Sequence, residues 1–389
     1  MLSGIRNACY DVSILWRCYM LEKFSVNNFK GFENNISIDL SARDFLFNKD
    51  LVKNGIVNKA ILYGKNGVGK SSLGVAIFDI VSHLTDKEAM HQRYTSNYRN
   101  LNRPDEPVEF TYVFKFDSDE VIYNYTKFDV GYLVSESLTF NGTNVLDYDY
   151  FDDSRRFIAE EIAGNLNVTL VDNKLSIVKY IYRNLPTNTI PLLTKMMTFC
   201  ENMLWYRSLS EGNTYSGFTN ERFLLTERLY ESGKLQEFEE FLHEMDIDYK
   251  LKFESVNGNH ELMAYYNDGK NKATFNSLAS TGTQALFLFF VWKITAFDKI
   301  SLLFIDEFDA FLHYEASEKV VRTLNELSSF QSILTTHNTD LMNNKITRPD
   351  CCYIMTRERI SSLANATDRE LREGHNLEKL YKSGEFDGM

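Results

Sequence analysis

The sequence predicts an α/β fold, with a mixed, largely parallel core sheet, an antiparallel β subdomain and a helical insertion. Three observations predict it. An apolar strand, a glycine-rich turn and a helix run together in "ILYGKNGVGKSSLGVAIFDI", residues 61–80, the strand–loop–helix unit of a parallel sheet. Two further apolar strands, residues 302–305 and 332–335, end in polar groups in "ISLLFIDEF" and "FQSILTTHNTD"; open parallel sheets collect their functional residues at such strand tips. Between the glycine-rich turn and those two strands, "VEFTYVFKF", "VIYNYTKF" and "GYLVSESLTF" alternate apolar and polar residues with Asp and Gly turns between, the pattern of an antiparallel meander.

In chain order, residues 1–19 read as an N-terminal extension, because a second methionine, Met20, stands immediately before a convincing strand. Only Arg6 precedes a short, interrupted apolar region there, a poor fit to a signal peptide. A first lobe is expected over residues 20–149. In it, residues 21–26 and 36–40 alternate as strands, with Asn27, Asn28 and Gly31 as punctuation. The glycine-rich turn and its helix follow, then a polar stretch over 91–107 and the meander. Residues 150–249 read as a helical insertion, from "DSRRFIAEEIAGNL", "TIPLLTKMMTFCENMLWY" and "NERFLLTERLYESGKLQEFEEFLHEM". None sustains the heptads of a long coiled coil. Strands return in "YKLKFESVNGNHELMAYY" and open a second lobe, 250–389.

The turn itself is the strongest chemical signal. Gly64, Lys65, Asn66, Gly67, Val68, Gly69, Lys70 and Ser71 fit the G-x-x-x-x-G-K-[ST] phosphate loop. In that loop bare backbone N–H groups wrap the phosphates, the lysine neutralises them and the hydroxyl holds Mg²⁺. Ser72 continues into a helix whose N-terminus faces the anion. Nucleotide binding is therefore expected, with Lys70 and Ser71 as its firmest residues.

Two later stretches extend the site. In "FNSLASTGTQALFLFFVWKI" the turn Ser280-Thr281-Gly282-Thr283 opens an apolar helix, which reads either as a plain helix cap or as a second place for N–H and hydroxyl groups to meet a phosphate. Asp306 and Glu307 end the strand of "ISLLFIDEFDAF". One acid is expected to hold metal and the other to activate water. His337 closes the third strand, where an open parallel sheet places its ligand site.

Composition sets limits. With 44% hydrophobic and 25% charged residues over 389 positions, the chain has ordinary globular usage and room for a large core. No run of 18 or more apolar residues occurs, which predicts a soluble protein without a membrane span. Five cysteines form no C-x-x-C pair, arguing against a structural metal and for a reducing cytoplasm. Against 54 acidic residues stand 42 basic ones, a net charge of −12. That balance disfavours a surface that grips nucleic acid everywhere by charge.

Phosphate loop, distant Ser-x-Gly turn, apolar strand ending in Asp-Glu and strand ending in His occur in an order that resembles the ATPase head of the ABC superfamily. Within it, "LEKFSVNNFKGFENNISIDL", "LASTGTQAL" and "IDEFDAFLH" are similar to the compact bacterial AAA branch related to RecF, SMC and OLD-type proteins. The closing "RELREGHNLEKLYKSGEF" looks like the tail of small ATPases of antiphage and abortive-infection systems.

The resemblance implies ATP and Mg²⁺ as cofactors. It places Lys70 on the β- and γ-phosphates, Ser71 and Asp306 on Mg²⁺, Glu307 as base for the attacking water and His337 as a γ-phosphate sensor. Ser280, Gly282 and Thr283 would contact the nucleotide of a partner subunit, and Asp309 would lie in a loop crossing that interface. Thr281 and Thr283 stand where the family has glycine and glutamine. Gln92 is the only glutamine between the phosphate loop and residue 236, and no Q-loop glutamine is evident.

The implied function is an ATP-hydrolysing sensor or scaffold subunit of an antiphage complex, at least a dimer through shared ATP sites. About fifty residues follow His337, fewer than a domain of usual size needs. Destructive chemistry is therefore expected on a separate effector, such as a Toprim-type nuclease. A nucleic acid or a phage component is a further candidate partner. The alternative is a RecF-like DNA-binding repair ATPase. A metabolic phosphate-loop kinase would need neither the Ser280 turn nor His337.

Overall fold

A computed structural model describes residues 19–387 except 88–95, 165, 167, 169–171, 187, 209–214, 220–223 and 257. The expected extension over 1–19 lies outside the described residues except for Tyr19. That residue is buried and opens the strand Tyr19–Asn27, where its ring meets Phe116 edge to face. Gln92 also lies outside the described residues.

The fold is α/β. Among the described residues, one seven-stranded sheet runs in the order Tyr215–Gly217, Met203–Arg207, Leu302–Asp306, Gln331–Thr336, Lys59–Tyr63, Cys352–Met355, Ile360–Ser362. Its five central strands are parallel and both edge pairs are antiparallel. The central strands read as near-continuous apolar runs because both faces are covered. Leu302 and Phe304 enter one core with Ala60, Leu62, Met203 and Trp205. Leu303 and Ile305 enter the other with Ile61, Tyr63, Leu204 and Tyr206. The period-two alternation of a strand thus feeds two cores at once.

The first core is closed by the helices Lys70–Ile77 and Asp79–Leu84 and by the second large sheet, which is antiparallel throughout. Its order is Arg156–Ile158, Thr143–Asp149, Tyr132–Phe140, Asp119–Asp129, Val108–Phe116, Tyr19–Asn27, Ile36–Asp39. The expected meander is present and has two strands more than its three alternating stretches predict, Thr143–Asp149 and Arg156–Ile158. The second core is closed by the helix Thr281–Thr295, apolar on nearly all sides because it is buried, and by the helices Leu225–Ser232 and Leu235–Glu244.

The two sheets are pinned together by polar groups. The Gln331 side-chain amide donates to the Leu21 and Val57 carbonyls while its oxygen accepts from the Leu21 amide. Behind the helix that follows the glycine-rich turn, Asp79 and Lys127 form a buried ion pair at 2.5 Å. Tyr98 and Tyr125 hydroxyls also donate to Asp79. A buried charge is tolerated only when its remaining hydrogen-bonding capacity is filled in this way.

The reading of 150–249 as a helical insertion needs correction. "TIPLLTKMMTFCENMLWY" is the helix Pro191–Glu201 followed by the strand Met203–Arg207, which is part of the central sheet. The apolar run "MLWY" satisfies a helical period but is short and aromatic, and its place between sheet neighbours decides for strand. In "DSRRFIAEEIAGNL" a short strand, Arg156–Ile158, precedes a single turn of helix, Glu160–Ala163. No helix among the described residues is long and apolar enough to cross a membrane.

Candidate nucleotide site

Every predicted strand tip falls on one edge of the central sheet, because the strands are parallel. Lys59–Tyr63 lies between Gln331–Thr336 and Cys352–Met355, and Leu302–Asp306 is one strand further along. The glycine-rich turn, the Asp306-Glu307 pair and Thr336-His337 therefore emerge side by side. The registers Thr336↔Tyr63 and Ile305↔Leu334 keep the tips level.

The turn has the shape of an anion cradle. Gly67 and Gly69 both have positive φ, +77° and +112°. A Cβ on Gly69 would come within 2.5 Å of the Phe32 ring, so only glycine fits between that ring and the helix. Among the described residues, the amides of residues 65–69 have no backbone acceptor, which leaves donors available to an anion, as a phosphate requires. Lys65, Asn66 and Gly67 are exposed, Val68 is half-buried, and Gly64 and Lys70 are buried. The helix Lys70–Ile77 starts at Lys70, two positions earlier than its sequence pattern suggests. Ser71 and Ser72 sit half-buried in its first turn.

The Lys70 ammonium lies back across the turn, donating to the Gly64 carbonyl at 2.5 Å and the Lys65 carbonyl at 3.2 Å. Burial lowers its pKa, while Asp306, Glu307 and Asp309 pull the other way. Asp306 is fully buried, and burial raises its carboxyl pKa against the hydroxyls of Ser71 and Thr335 and the charge of Arg207. Thr335 donates to its Oδ1 at 2.8 Å. Its Oδ2 is buried with no hydrogen-bond partner.

An orphaned carboxylate oxygen beside the Ser71 hydroxyl suits a hard divalent cation that takes oxygen ligands. Mg²⁺ therefore fits the residues present, and Ser71 and Asp306 are the side chains that would hold it. No cluster of three or more His, Cys, Asp or Glu able to hold a metal by itself occurs among the described residues. A magnesium ion here would thus rely on nucleotide phosphates and water for its remaining positions, as Mg²⁺ commonly does.

Glu307 adopts φ +51°, an unusual value for a non-glycine residue. Its amide donates to the Thr335 hydroxyl, so one threonine orients both acids. Its carboxylate pairs with the guanidinium of Arg207, whose Nε is 3.8 Å from Asp306 Oδ2. Arg207 escaped sequence reasoning because its strand was read as helix. Nothing local in "FQSILTTHNTD" distinguishes Thr335 from its neighbour Thr336, and only its contacts with Asp306 and Glu307 do so.

His337 is exposed at the tip of its strand, near enough to Asp309 to favour that carboxylate. Asp309 is itself buried and accepts from the Thr336 hydroxyl at 2.7 Å. The expectation of Asp309 as an interface residue therefore meets a carboxylate already engaged inside its own subunit.

The Ser280 turn stands apart from this group. Ser280 is the exposed N-cap of Thr281–Thr295, accepting from the Thr283 amide at 3.1 Å, and its hydroxyl lies 2.9 Å from that of buried Thr283. Gly282 has an internal explanation: a Cβ there would meet the Phe311 carbonyl oxygen at 2.6 Å. The helix mouth thus rests on the loop that follows Glu307. Neither Ser280 nor Thr283 hydrogen-bonds the glycine-rich turn of its own subunit.

A family model described as "AAA domain, putative AbiEii toxin, Type IV TA system" matches residues 59–343. Among solved structures, the chain is similar to the SMC head domain from Thermotoga maritima, at 15% identity over 88% of this chain and 98% of that one, with a TM-score of 0.40. It is similar to an SMC head with an extended coiled coil bound to the C-terminal domain of ScpA, derived from Pyrococcus furiosus. Identity there is 15%, coverage 89% and 96%, and TM-score 0.44. A third likeness is to the recombination mediator RecF with ATP, at 12% identity, 89% and 99% coverage and a TM-score of 0.37. A search of curated proteins finds no match.

Proposed function

The chain belongs to this AAA-domain family, and from that premise we propose that it is a compact ATPase of the ABC superfamily that binds and hydrolyses ATP to control a separate effector in antiphage defence. The observation that carries the reading is the convergence on one sheet edge of a glycine-rich turn whose amides have no backbone acceptor, a buried lysine, a carboxylate oxygen without a hydrogen bond and a second carboxylate. Lys70 would neutralise the phosphates, Ser71 and Asp306 would hold Mg²⁺, Glu307 would orient and deprotonate the water, and His337 would read the γ-phosphate. Bound Mg²⁺ would supply charge compensation for the transferred phosphoryl group.

Ser280, Gly282 and Thr283 would act on a second copy. Their hydroxyls and the helix N-terminus are unused by the phosphate loop of their own subunit, and Ser280 is exposed. Mixed subunits test this. Ser280→Asp keeps a good helix cap but turns a negative charge toward any phosphate. Neither Ser280→Asp nor Lys70→Ala protein should hydrolyse ATP alone, whereas mixtures that exchange subunits should regain part of the activity. Absence of any recovery would return Ser280 to being a helix cap.

The effector is tested by purifying the tagged chain from its native cells with ATP present. A co-purifying nuclease that leaves when ATP is removed is the expected result. Tight binding of plain duplex DNA by the purified chain, with no protein partner, would favour the RecF-like repair reading instead. The net charge of −12 supports the defence reading over the DNA-binding one.

A further inference from the structure

Arg207 ends its strand directly opposite Asp306 in the parallel register. Its guanidinium is paired with the Glu307 carboxylate, and its Nε is 3.8 Å from the orphaned Asp306 Oδ2. The Arg207 side chain is 23% exposed, the Glu307 side chain 29% and the Asp306 side chain 0%, so this is a partly desolvated arrangement rather than a loose surface bridge. Lys70 faces the same acids from the phosphate loop, and Asp309 adds a third carboxylate.

We propose that Arg207 is a stand-in for the divalent cation, neutralising Asp306 and Glu307 in the nucleotide-free protein and giving them up when the metal arrives with its nucleotide.

The proposal rests on the reading of this edge as a Mg²⁺-nucleotide site. Two adjacent carboxylates in a part-buried position repel unless a cation lies between them. Without nucleotide the guanidinium is that cation, and its planar fork suits a carboxylate better than an ammonium does. A metal ion bound at Asp306 Oδ2 would stand beside the guanidinium, like charge against like charge in a region of reduced dielectric. The two therefore compete.

The same contact has a consequence for the chemistry. A Glu307 oxygen engaged by Arg207 has less capacity to accept a proton from water. Glu307 becomes a competent base only as Arg207 withdraws. Arg207 is on this view a positioning residue that ties release of the base to arrival of the metal, so that the empty site is held inactive.

The measurement is ATP affinity by titration in excess EDTA and in excess Mg²⁺, with the ratio of the two dissociation constants as the readout. Arg207→Ala should raise that ratio at least tenfold, because metal-free ATP loses a positive charge while Mg²⁺ loses its competitor. Arg207→Lys, which keeps the charge without the fork, should lie between, and it also serves if the alanine variant does not fold. A ratio unchanged or lowered in either folded variant would overturn the proposal and leave Arg207 a structural pin. Failure of the unaltered chain to bind ATP in both conditions would instead overturn the nucleotide-site reading itself, and the inference with it. A role confined to structure would shift both affinities together and leave the ratio alone.

Discussion

Lys70→Ala is expected to abolish measurable ATP binding, weakening it by at least about a hundredfold, since a charge-assisted hydrogen bond contributes about 1.5–3 kcal/mol and the ammonium is placed to make more than one. The structure explains why no other group replaces it. Lys70 is buried beneath the turn and already aligned on the Gly64 and Lys65 carbonyls. Lys65, the other lysine of the loop, is exposed. The helix should survive the change, because alanine is the best helix former. Isothermal titration with a variant of unchanged circular dichroism checks the prediction. Retained affinity in the folded variant would remove the phosphate-loop assignment.

Glu307→Gln is expected to bind ATP with little change and to slow turnover by roughly 10² or more, the usual share of general-base catalysis. Glutamine is nearly isosteric and keeps an oxygen for Arg207, and the Thr335 hydroxyl accepts from the residue 307 amide whatever the side chain. The variant therefore separates loss of basicity from loss of structure. Single-turnover assays should show slow chemistry with normal binding. Light scattering in ATP should show the larger species accumulating, because closure precedes hydrolysis in the shared-site reading. A variant that turns over at the unaltered rate would transfer the role of base to another group.

Particular residues show how far the primary structure reaches. The phosphate loop is legible because it is a contiguous backbone motif: Gly64, Gly67, Gly69, Lys70 and Ser71 state both conformation and chemistry within eight positions. The meander is legible because alternation with period two is local. Asp306, Glu307 and His337 are legible because an apolar strand that ends in polar groups marks a sheet edge. Met203–Arg207 is not legible, since four apolar residues after a helix fit helix or strand equally well, and only parallel pairing with Leu302–Asp306 decides. Cys352–Met355 is likewise too short an apolar run to be assigned alone, and its parallel pairing with Lys59–Tyr63 decides it.

The sequence by itself determined an α/β chain with a phosphate loop, a carboxylate pair and a candidate second turn, since each is encoded within a few consecutive residues whose local physics is self-contained. Only the tertiary structure decided the order of the strands and hence which tips meet. It also decided that Arg207 faces Asp306 and Glu307, that a buried Asp306 oxygen is left without a hydrogen bond, that Asp309 accepts from Thr336, and that Gly282 is required by the Phe311 carbonyl. These depend on contacts between segments roughly 30 to 100 residues apart, which form because burying both faces of the central sheet stabilises one register, and no local pattern specifies that register.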